Sequence, residues 1–92
     1  MYILTTSQII TIGSTPSKLP PIPLEGRKFI GIQNLGGSTV YIAGTMVTAD
    51  TAGTGGYQLF PKGYWQENYS DNVDVYGVIA SGSTQVLCEE GK

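Results

Sequence analysis

The chain has 92 residues, a net charge of −2, no histidine and only 13% charged side chains, about half the usual share for a soluble domain. That length makes one domain with a modest core, and a single cysteine, Cys88, leaves no internal disulfide to staple it. Lys18, Arg27, Lys28, Lys62 and Lys92 are scattered rather than clustered, so nucleic-acid binding through phosphate neutralisation is not expected.

Residues 8–13, QIITIG, are rich in isoleucine and end at the punctuation GSTP, which predicts a strand. The next segment carries Pro16, Pro20, Pro21 and Pro23. Proline lacks the backbone donor, so an extended connector or edge segment is expected here, with Leu19, Ile22 and Leu24 as apolar anchors. Residues 27–34, RKFIGIQN, predict a strand with Ile30 and Ile32 on one face and Phe29 and Gly31 on the other. NLGGS is a turn signal and TVYIA, at 39–43, a further strand, so the two strands read as a hairpin. TMVT, at 45–48, predicts a short strand with Met46 or Val47 inward, and DTAGTGG, at 50–56, an exposed polar loop.

Short strands are expected at 57–60 and 64–69 around the turn PKG. Residues 73–80, VDVYGVIA, predict a strong strand with Val73, Val75, Gly77 and Ile79 on one face. After SGS, residues 84–90 close the domain with Val86 and Cys88 on one face. About eight short strands, turn chemistry between them and no helical period predict an antiparallel β-sandwich or small jelly-roll-like barrel. The short connections favour antiparallel hairpins over parallel crossovers. The expected organisation is an N-terminal strand and proline-rich arm over 1–26, whose removal would leave the rest largely folded, and a β-sandwich over 27–92.

Catalytic chemistry is hard to place. Without histidine the commonest general base and metal ligand are missing. Cys88 sits within a strand on the parity of Val86, as a buried small hydrophobe would. Asp71 and Asp74, in SDNVD, admit two readings: part of a calcium site, or turn residues bonding their own backbone. The glycine-rich stretches match no phosphate-binding pattern. No enzymatic activity and no cofactor are therefore expected. The opening MYILTTSQII lacks the regions of a signal peptide, and no apolar run approaches the ~20 residues of a membrane span. Tyr57, Phe60, Tyr64, Trp65, Tyr69 and Tyr76 gather in one part of the chain. They suit either core and cross-strand pairs, with Phe60 assigned to the core, or a sugar- or protein-binding platform.

Two stretches, FIGIQNLGGSTVYIAGTMVT and LFPKGYWQENYSDNVDVYGVIASGSTQVLCEE, together resemble a pattern of small virion structural proteins of tailed bacteriophages. The matching pieces lie at 30–34, 40–44, 47–48, 59–63, 75–82 and 86–89. The proline-rich segment lies outside that pattern, and the loop at 49–56 is longer than usual. The resemblance implies a β-sandwich that decorates or cements a capsid, or serves a head fibre or tail, located in the virion after synthesis in the host cytoplasm. It implies as partners further copies of the chain, with a trimer expected, and a major capsid protein. The alternative is a carbohydrate- or receptor-binding module of a fibre or tail, with a host-surface glycan as ligand. Candidate interface residues are Leu19, Ile22, Tyr57, Tyr64, Trp65 and Tyr69.

Overall fold

Eight strands pair into two four-stranded antiparallel sheets in a computed structural model, which describes residues 4–44, 47 and 55–92. They are β1 (Leu4–Ile12), β2 (Ser17–Lys18), β3 (Phe29–Asn34), β4 (Val40–Ala43), β5 (Tyr57–Leu59), β6 (Tyr64–Glu67), β7 (Tyr76–Val78) and β8 (Thr84–Gly91). One sheet has the order β1-β8-β3-β6 and the other β2-β7-β4-β5. The register shows how this order arises. β1 pairs with β8, β2 with β7, β3 with β6 and β4 with β5. The chain is thus one long antiparallel ribbon, doubled back between β4 and β5. It is rolled so that β8 also meets β3 and β7 also meets β4. This is the jelly-roll arrangement of a β-sandwich.

The rolled ribbon corrects the expected hairpin of residues 27–34 with 39–43. β3 and β4 lie in different sheets, and the segment between them is a corner. Asn34 builds that corner. It is fully buried, and its Nδ2 donates to the carbonyls of Ser38 (2.6 Å) and Leu59 (3.0 Å). Its Oδ1 accepts from the N–H of Gly36 at 3.0 Å, the local side-chain bonding that favours Asn in turns. Its main chain also bonds Gly63 and Lys62, which ties the corner to the β5–β6 turn. Lys62 holds φ 66° in that turn, the left-handed region that costs a side chain.

The expected division into an arm and a sandwich does not describe this fold either. β1 is an edge strand of one sheet and β2 of the other, and Ile12 and Leu19 belong to the core. A two-residue strand survives in the proline-rich segment because Ser17 and Lys18 precede the proline cluster and retain their donors. The expected strand at 45–48 and most of the loop at 50–56 lie outside the described residues; Val47 itself is buried.

Alternation places Ile12 of β1, Ile30 and Ile32 of β3, Val86 and Cys88 of β8 against Val40 and Ile42 of β4 and Leu59 of β5. Each buried aliphatic side chain contributes about 1.5–3 kcal/mol. In 73–80 the inward row holds for Val75, Gly77 and Ile79, but Val73 is exposed and only Tyr76–Val78 is strand. Gly77 gives Leu19 room there: a Cβ would stand 2.8 Å from Leu19 Cδ1, so that buried side chain would have to shift.

Candidate functional site

Two charges lie inside the sandwich. Glu90 continues the inward parity of Val86 and Cys88 on β8, and an isolated carboxylate there would be costly. Arg27 neutralises it: both residues are about as buried as the aliphatic core, and Arg27 Nη1 meets Glu90 Oε2 at 2.8 Å. Glu90 Oε2 also accepts from the N–H of Leu24 at 3.0 Å. The remaining donors of Arg27 turn away from the carboxylate. Nε donates to the carbonyls of Tyr69 (3.1 Å) and Ser70 (3.2 Å), and Nη2 to that of Val73 at 2.6 Å. Asp71 completes the seam by accepting from the N–H of Gly26 at 2.9 Å. One buried guanidinium, with five donors in a fixed fork, therefore fixes the backbone of the 69–73 loop.

That loop forms one wall of a groove with a volume of about 350 Å³. Trp65 enters from β6, an edge strand of the first sheet, and Tyr57 from β5, an edge strand of the second. Register explains their convergence, since Trp65 lies opposite Ile32 and Tyr57 opposite Ile42, both on core-facing rows. The two sheets part at these edges and leave the aromatic rings half in the core and half in water. Tyr69 packs edge-on against Trp65, with ring centroids 6.0 Å apart and planes at 63°. Asp74 and the end of β4 at Gly44 supply the polar rim. Lys18 pairs with Asp74 at 3.4 Å, and both side chains remain partly open to solvent.

Of the residues expected at an interface, Tyr57, Trp65 and Tyr69 come together in this groove. Leu19 does not belong with them: it is 1% exposed, packed in the core, and cannot meet a partner. Ile22 is 84% exposed in the proline-rich segment. Tyr64 projects from the opposite side of β6, onto the outer face of the first sheet. It lies across Gly31, whose missing Cβ makes room for the ring and its hydroxyl. Partial burial raises the Tyr64 phenol above its usual range, helped by the Glu89 carboxylate. Phe60, expected in the core, is 61% exposed, because β5 ends at Leu59 and Phe60 begins the turn.

Asp71 and Asp74 each have a partner, the Gly26 N–H and Lys18. Among the described residues no group of three or more His, Cys, Asp or Glu side chains is placed to hold a metal ion. Burial pushes the Cys88 thiol up to about 12, with Glu90 adding to the rise and Arg27 opposing it, so it is a poor nucleophile at neutral pH. Among the described residues no helix is long and apolar enough to cross a membrane.

In the sequence Arg27 stands among the scattered cations, and Glu90 is not singled out. The signal was present in the alternation, because a carboxylate two residues beyond Cys88 on an inward row requires a buried cation. The chain matches no protein-family model, no curated protein and no solved structure.

Proposed function

We propose that this chain is a non-enzymatic structural protein of a bacteriophage particle, one that decorates or cements the capsid through contacts with its own copies and with the major capsid protein. The observation that carries this reading is the outer face of the β1-β8-β3-β6 sheet. Across its middle runs the row Ile9, Leu87, Gln33 and Tyr64, one residue from each strand. In the neighbouring row of Ser7, Glu89, Gly31 and Gln66, Glu89 is the one charged residue. Ile9 is 61% exposed. Interface cores are depleted of charge in the same way.

The edge of this sheet supports the same reading. β1 runs for nine residues, LTTSQIITI, without a charge or a proline. Protein surfaces usually blunt such an edge with lysine, proline or a short strand. An uncharged edge suits pairing with another β-strand, whose main chain would supply the missing hydrogen bonds. The jelly-roll order recurs among viral capsid and lectin domains, which agrees with the reading by fold analogy alone.

The test joins sedimentation to capsid binding. Wild-type protein is expected to form a defined oligomer and to bind expanded phage capsids. Ile9→Lys is expected to shift it toward monomer with an unchanged circular dichroism spectrum. A stable wild-type monomer at micromolar concentration that leaves capsids bare overturns the proposal.

A further inference from the structure

The groove between β5 and β6 has no part in the assembly surface, since it opens between the two sheets rather than on the outer face of either. We propose that it is a binding site for a neutral saccharide, a mono- or disaccharide unit in size, and that this holds whether or not the chain assembles on a capsid.

Three properties of the groove select that ligand. Its volume, about 350 Å³, lies at the small end of the range for small-molecule sites. Three aromatic residues, Tyr57, Trp65 and Tyr69, line it, and a sugar ring presents C–H faces that pack against such rings. Its rim carries one carboxylate, Asp74, already paired with one ammonium, Lys18, at 3.4 Å. An anionic ligand would meet the Asp74 carboxylate, and a cationic one would meet a charge that Lys18 already compensates. A vicinal diol can donate to Asp74 without bringing a charge of its own. A proline-rich peptide would use the aromatic walls but offers no donors toward Asp74.

The site is also built in advance. Arg27 holds the carbonyls of Tyr69 and Val73 from inside the fold, so the loop bearing Tyr69, Val73 and Asp74 is ordered before a ligand arrives. Preorganisation of this kind reduces the cost of binding.

Trp65 is the chain's one tryptophan, which makes its fluorescence a direct report on the groove. The experiment screens the full chain against an array of neutral and sialylated oligosaccharides and of proline-rich peptides, then titrates the best-bound compounds while following Trp65 emission. The expected result is binding of neutral glycans with a change in emission. Tyr57→Ala and Asp74→Asn, both at exposed positions, should each weaken it at least tenfold with an unchanged circular dichroism spectrum. These variants are preferred to Trp65→Ala because Trp65 also packs against the core. The proposal is overturned if no neutral glycan binds, if sialylated glycans or peptides bind in preference, or if binding survives both substitutions. Sedimentation of the same samples reads the assembly state separately, so either idea can fail alone.

Discussion

Asn34 and Arg27 are both buried as deeply as the aliphatic core, and they hold two loops by different means. Asn34 is neutral and satisfies a corner between the sheets with two local bonds, to Ser38 and Gly36, and one to Leu59 of β5. Arg27 is charged, depends on Glu90 for compensation, and reaches more than forty residues along the chain to the 69–73 loop. The neutral device joins a corner to the adjoining β5–β6 turn without burying a charge. The ionic one is longer in reach, but it fails badly when halved, because the surviving charge stays buried.

Substituting Arg27 should separate the two most sharply. Arg27→Met leaves Glu90 unpaired in the core, and an unfolding free energy lower by about 3–5 kcal/mol is expected in urea titration. Arg27→Met combined with Glu90→Met should recover much of that loss, since paired charges are often replaceable by apolar groups of similar volume. The double variant still lacks donors for the carbonyls of Tyr69, Ser70 and Val73. Amide exchange in the 69–74 loop should therefore stay fast even where global stability returns. Equal exchange rates in the wild type and the double variant would show that the loop holds itself.

Asn34→Ala should cost less, about 1–3 kcal/mol, because the groups it frees are neutral rather than charged. Its effect should fall on the corner and the β5–β6 turn, with exchange in the 69–74 loop unchanged. A loss as large as that of Arg27→Met would erase the distinction between the two devices.

The one effect that vanishes at neutral pH concerns titration. Cys88 neighbours the ionic cluster, and burial holds its thiol up at about 12 from an ordinary value of 9.0. The folded state therefore keeps a proton that the unfolded chain releases above pH ~9. The stability this contributes is complete below that pH and is lost as pH rises toward 12, by at most ~1.4 kcal/mol per unit. Tyr64 titrates in the same direction, so the informative quantity is the difference between wild type and Cys88→Ala. That difference should shrink between pH 9 and 11 in thermal melts, and a constant difference would contradict the shift.

The fold class, most strand positions and the inward parity of Val86 with Cys88 were legible because alternation is a local signal. What was not legible depends on partners distant in the chain. β3 and β4 look like a hairpin in sequence because NLGGS is good turn chemistry, yet the same residues make a corner once Asn34 turns inward. The proline-rich segment looked peripheral because proline is rare in sheet interiors, yet the Leu19 side chain packs in the core against Gly77. At the groove, Tyr57, Trp65 and Tyr69 were recognisable as a cluster, but Tyr64 on the opposite parity belonged to another surface. Lys18 could not be linked to Asp74 without the β2–β7 pairing.

The rolled ribbon also has a consequence for the order of synthesis. β8 provides the sheet partner of β1, a neighbour for β3, and the carboxylate that neutralises Arg27. Until the ribosome has made β8, β1 has no strand to pair with and Arg27 no Glu90 to neutralise it. The nascent chain must keep an uncharged, isoleucine-rich strand out of trouble until nearly the whole domain has emerged. Chains with such long-range pairing fold slowly and expose unpaired edges in the meantime. Stalled or truncated products lacking β8 should thus be the species that aggregate, and crowding many copies on one messenger would favour pairing between neighbours over pairing within a chain.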